Sequence, residues 1–265
     1  MKTAAAAMAL LLLLTGCSGQ GAIGQAFPFE TGPSGVSGPP ADVKKARKSI
    51  ETAAAALEEL GVEGAAETGT ELAESLDGAS GEETEWYASW YAEPSAAAAA
   101  ILMELGCGEW DENTWEWSPT SHQVYWFDAE VMNLDVMYTE TLAGIQSITA
   151  EDASFTDIAE DVSGVDYEAD SGTQTITFRC NGEPCRYDAE FQGDWLDEGF
   201  LVYMGKVLDR LESERCLYAC FDGGQGYMLM WQTPAWAAKL QKATGLELTP
   251  AAGGLSSGWD LWSVL

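Results

Sequence analysis

Asp128 and Glu130 stand two residues apart in the run from His122 to Val131, which has strand propensity. On a strand they share one face, roughly 6.6 Å apart along it. Paired carboxylates at that separation can divide the work of glycoside hydrolysis, one protonating the leaving oxygen and the other activating water or attacking the sugar. Trp126 shares the face. The same spacing also belongs to any half-exposed strand that turns its charges outward. A second candidate lies just before it, where Trp115 and Trp117 alternate in a loop-like segment with Glu109, Asp111 and Glu112. Aromatic faces with acidic neighbours stack on sugar rings, and the competing reading is that these indoles anchor the loop to the core. His122 is the one histidine. No Gly-x-Ser-x-Gly or Ser-x-x-Lys segment accompanies it, so no nucleophile and base form a complete set. Asp222-Gly-Gly-Gln-Gly226 offers backbone amides to an anion, but it stands between two strands and reads as a hairpin turn.

There are six cysteines. Cys180 and Cys185 flank a four-residue, turn-like connection, where facing strands bring partners to bridging distance, and a disulfide is expected between them. Cys216 and Cys220 on one strand would lie about 13 Å apart, too far to bridge. The cysteine spacing is not that of a zinc site, and the acidic clusters lack EF-hand spacing, so neither a metal nor a cofactor is expected.

The elements that must position these residues fall into two regions. Residues 42–106 read as helical: one amphipathic helix carries Val43, Ala46, Ile50, Ala53, Leu57 and Leu60 on one stripe, with further helices about Thr70 to Leu76, about Glu82 to Ala92, and Ser95 to Leu105 capped by Ser95. Residues 107–249 read as strands interrupted by helices: a strand to Val131, a helix over Leu134 to Ile148, and a meander of Phe155 to Val162, Thr173 to Cys180 and Cys185 to Gln192. A helical stripe of Phe200, Met204, Val207, Leu208 and Leu211 follows, then a hairpin of Arg215 to Phe221 and Gly226 to Gln232, and a helix from Pro234 stopped by Gly245. The fold class is therefore α+β, an N-terminal helical half followed by a mainly antiparallel sheet with helices on one face. Residues 250–265 read as a loose tail, and residues 18–41, rich in Gly, Pro and Ser, as a flexible tether reaching roughly 25–30 Å.

Against 43 acidic residues stand 12 Lys and Arg, a net charge of −31 that repels nucleic acid. Four of the cations, Lys44, Lys45, Arg47 and Lys48, crowd the start of the first helix, where they either touch anionic lipid head groups or pair with the acidic body.

The beginning of the chain carries the most specific signal. Lys2, an apolar run from Ala4 to Leu14, then Leu14-Thr15-Gly16-Cys17, resemble the signal peptide and lipobox of bacterial lipoproteins. The resemblance covers residues 1–17. It implies cleavage before Cys17, a lipid on that cysteine, and residence on the extracytoplasmic face of the cell membrane. Asp128 and Glu130 behind Trp126 resemble, over three residues, the acidic signature of some chitinase-like and lysozyme-like hydrolases. Together these point to a membrane-anchored lipoprotein whose body is a binding or accessory protein of the cell envelope. The alternatives are a glycan-directed hydrolase using Asp128 and Glu130, and a sugar-binding module using exposed tryptophans.

Overall fold

The computed structural model describes residues 43–78, 88–111, 117–131, 133–222 and 224–254, so that Cys17 and Trp115 lie outside the described residues. The fold is α+β, as the element pattern predicts. Helices α1 (Val43–Glu59), α2 (Ala65–Gly78) and α3 (Pro94–Gly106) come first. They are followed by short strands β1 (Glu109–Trp110) and β2 (Trp117–Ser118), β3 (Tyr125–Asp128) and α4 (Met137–Thr149). A meander of β4 (Phe155–Asp166), β5 (Ser171–Cys180) and β6 (Glu183–Glu190) leads into α5 (Gly199–Leu208). Then come β7 (Cys216–Phe221), β8 (Gly226–Gln232), α6 (Pro234–Thr244) and β9 (Thr249–Pro250).

Apart from the β1–β2 pair, the described strands form two antiparallel sheets, ordered β3-β8-β7-β9 and β4-β5-β6. Strand β8 is buried from Gly226 to Trp231, an unbroken apolar run with both faces covered. Met228 and Met230, with Val124 and Cys220, meet the layer built from α1, α2, α3 and α6. Tyr227, Leu229 and Trp231 face the other way, into a core shared with α4, α5 and the inner face of the three-stranded sheet. The three-stranded sheet has helices on one face: Gln174, Ile176, Phe178 and Cys180 of β5 point inward and their neighbours outward. The regions that the sequence divides at residue 106 are thus not separate cores, because the helical layer is completed by side chains of the sheet.

The sequence places several boundaries differently. Pro94 occupies the first turn of α3 and Glu93, not Ser95, is its N-cap, since proline's fixed φ suits the first helical position. The segment after Gly108 is a small hairpin, with Trp110 paired to Trp117. The tail expected to be loose from Pro250 is docked as far as it is described. Thr249 and Pro250 pair with β7, and Ala251 is fully buried against α5.

One carboxylate organises the join between α4 and the three-stranded sheet. The N-cap of α4, Val136, offers no side-chain acceptor. Glu160 supplies one from β4, accepting from the Tyr138 and Thr139 amides at 3.2 and 2.9 Å and from the Thr139 hydroxyl at 2.8 Å. Gln174 donates to the same carboxylate and to the Leu134 carbonyl. Strand β4 is an edge strand with two register shifts, between Thr156 and Ala159 and between Asp161 and Gly164, and Asp157 takes a left-handed φ of 53°.

Replacing Glu160 by Ala leaves the first amides of α4 buried without an acceptor. The expected cost is about 1–3 kcal/mol in urea unfolding. In the helical layer burial pushes the Glu104 carboxyl up to about 7, with the Glu71 charge adding to it. A carboxyl raised on folding binds its proton more tightly in the native state, so stability is greatest below the ordinary value of 4.5 and falls as pH rises to about 7. Glu104→Gln should therefore flatten the stability profile over that window and stabilise the protein at pH 8 by roughly 1–3 kcal/mol, read from urea midpoints at stepped pH.

Candidate functional site: carboxylates at the end of the β3–β8 pair

Strands β3 and β8 run antiparallel with Asp128 opposite Gly226 and Trp126 opposite Met228. Alternation turns Tyr125, Phe127 and Ala129 into the inter-sheet core. Trp126 packs on the helical layer, and Asp128 and Glu130 run on past its edge, half-buried and exposed. Strand β3 carries Trp126 and Asp128 but ends there, and Glu130 lies beyond it in an isolated bridge with Trp195.

Asp222, read from the sequence as part of a turn, is the centre of the cluster. Its Oδ1 accepts from the Gly224 and Gly226 amides at 2.7 and 3.1 Å, and its Oδ2 from the Trp126 indole Nε1 at 2.9 Å. The amides that sequence reasoning offers to an anion are thus given to a side chain of the same turn, which an aspartate before Gly-Gly does readily. Gly226 is required by this closeness. A Cβ there would lie 2.3 Å from Asp222 Oδ2 and 2.4 Å from the indole nitrogen.

Asp128 Oδ1 accepts the Glu130 amide at 2.9 Å, so the aspartate folds back on its own chain. Burial raises its carboxyl above the ordinary range, opposed by that hydrogen bond and reinforced by the charges of Glu130 and Asp222. Glu130 is exposed and held by Gln225 Nε2. On the opposite face the Tyr227 hydroxyl donates to Glu198, and Phe127 stacks on Tyr227 at 6.1 Å. A raised carboxyl beside a second acid is the ordinary division between proton donor and base. Here, however, Asp128 is held by the Glu130 amide and Glu130 by Gln225 of the β7–β8 turn. Among the described residues no group of three or more His, Cys, Asp or Glu is placed to hold a metal ion.

Trp117 is not an exposed platform: its Nε1 donates to the Cys107 carbonyl at 2.8 Å and its ring meets Tyr125 edge-on at 5.3 Å, so the indole anchors its hairpin to the core. His122 is exposed, with Nδ1 at 3.3 Å from the Ser147 carbonyl oxygen. Lys45 pairs with Glu93 at 2.6 Å.

Cys180 and Cys185 are free thiols, correcting the expected disulfide. The connection between them is a two-residue turn, Asn181-Gly182, with φ of 50° and 86°, rather than a four-residue loop. Cys180 therefore faces Glu183, and Cys185 faces Phe178. The two sulfurs are diagonal neighbours on the buried face, at a Cα separation of about 7–8 Å where bridging needs about 4.4–6.8 Å.

No family model, no curated protein and no solved structure matches the chain.

Non-reducing peptide mapping should find Cys180 and Cys185 each alkylated by iodoacetamide after unfolding. A peptide linked through both would show that the hairpin register is wrong.

Proposed function

We propose that the protein is a lipid-anchored, extracytoplasmic bacterial lipoprotein whose α+β body is a binding or accessory domain of the cell envelope. The anchor follows from Leu14-Thr15-Gly16-Cys17 behind an apolar run, with residues 18–41 as the tether and the cell membrane as the partner of the lipid on Cys17. The reading of the body is carried by one observation: Asp128 and Glu130, the best carboxylate pair for catalysis, are bonded within their own turn and to Gln225. A glycan hydrolase is the second reading, favoured by the raised Asp128 carboxyl beside Trp126.

Two measurements separate these readings. Cells fed labelled palmitate should incorporate it into the native chain and not into Cys17→Ala, and the mature N-terminal peptide should begin at Cys17 and carry the mass of a diacylglycerol. An unlabelled native chain would refute the anchor. For the body, Asp128→Asn and Glu130→Gln should bind isolated envelope material as the native chain does, with stability changed by about 0.5 kcal/mol or less at the exposed Glu130. Glycan turnover by the native chain that drops by about 10²-fold or more in either variant would instead establish the hydrolase.

A further inference from the structure

We propose that Asn181 is a spontaneous modification site, converted to aspartate or isoaspartate through a cyclic imide, and that the fold gates the reaction by seating its side chain on the corner between α4 and β4. Of the three asparagines in the chain, Asn113 and Asn133 precede Thr114 and Leu134, and only Asn181 precedes a glycine. The nucleophile in this reaction is the backbone nitrogen of the following residue, and a glycine leaves it least hindered. The space around it is open: a Cβ at Gly182 would meet nothing within 4 Å. Both residues are exposed to the water that the reaction consumes.

The steps balance with water alone as the co-reactant. The Gly182 nitrogen bonds to Asn181 Cγ, and Nδ2 departs as ammonia with the proton that Gly182 gives up. Water then opens the imide. Cleavage of the new Cγ–N bond gives aspartate, whereas cleavage of the backbone C–N bond gives isoaspartate, with the chain continuing through Cγ.

The folded turn holds the reacting atoms off this course. Asn181 and Gly182 form the turn between β5 and β6 with φ of 50° and 86°. Asn181 Oδ1 accepts the Ser154 amide at 2.8 Å, and Nδ2 donates to the Asp152 carbonyl at 2.9 Å. Cγ is thereby held toward residues 152–154, and it reaches the Gly182 nitrogen only after both bonds open. Arg179 adds a further restraint, donating to the Gly182 carbonyl at 2.7 Å while its Nε pairs with Asp157. A hydrogen bond is worth roughly two- to twelvefold in an equilibrium, so the two side-chain bonds alone slow the reaction by roughly 5–150-fold. The conversion then loosens the corner it was seated on. Either product lacks the Nδ2 donor to the Asp152 carbonyl, and isoaspartate puts an extra backbone carbon into a turn that has no room for it in register.

The test follows the full chain, native and unfolded in urea, at mildly alkaline pH. The peptide containing residue 181 is read by mass spectrometry, with isoaspartate separated from aspartate by chromatography. In urea Asn181 should convert ahead of Asn133, and in the native chain it should convert roughly 5–150-fold more slowly than in urea. The Ser154 amide should be protected from hydrogen exchange, because the same opening exposes it. Arg179→Gln, with circular dichroism unchanged, should raise the native rate several-fold and leave the rate in urea as it was. Asn181→Asp should quicken exchange at residues 152–156. Equal rates in the native and unfolded chains overturn the gating, and so does a native rate that Arg179→Gln leaves unchanged. Should Arg179→Gln fail to fold, Ser154 decides: an unprotected amide there beside a slowed reaction overturns the gating. No conversion in the native chain over about 150 times the half-time found in urea overturns the site itself.

Discussion

The two-sided burial of β8 is the constraint on which the rest of the structure depends. Tyr227, Leu229 and Trp231 close one core and Met228 and Met230 the other, so each layer of the molecule is defined by its contact with this strand or with something packed on it. A central strand of this kind carries no polar side chain from Tyr227 to Trp231 apart from the tyrosine hydroxyl and the indole nitrogen, and both are satisfied at its periphery. Tyr227 donates to Glu198 and Trp231 to Asp152. The hydrophobic effect sets the order of the layers, and the acids at the strand's margins fix the ends.

Much of this was legible from periodicity. The stripes on α1 and α5, the limits of β8, and the helix from Pro234 to the glycine after it are all read from apolar spacing and from residues with fixed backbone preferences. The hairpin between β5 and β6 shows where such reading can be incomplete. Asn181-Gly182 is itself a strong signal for a two-residue turn, and weighting it above the symmetry of the flanking cysteines gives the correct register. The joining of the two cores was not legible, because β8 and helices α1 to α3 are far apart in sequence and a continuous apolar run does not state what covers each of its faces. The same holds for the site: the spacing of Asp128 and Glu130 is visible in the sequence, whereas the Asp222 carboxylate that reaches Trp126 comes from 96 residues away.

The acidity of the chain also takes on a structural meaning. Glu160, Asp222, Asp197 and Asp128 each accept backbone amides: at a helix start for Glu160 and Asp197, and in a turn for Asp222 and Asp128. In a protein with few cations these carboxylates find their compensation in N–H groups, while two of the ion pairs, Arg179 with Asp157 and Arg186 with Asp188, lie on the outer face of the three-stranded sheet.

That sheet ends in β4, whose ladder is broken twice and whose Asp157 bends away from the extended region. An unbroken edge of this length would template the addition of a like strand from a second molecule. The interrupted ladder denies such an encounter the continuous row of amides and carbonyls that strand addition requires. The irregularity of β4 thus guards this edge through the backbone rather than through the charge of the surface.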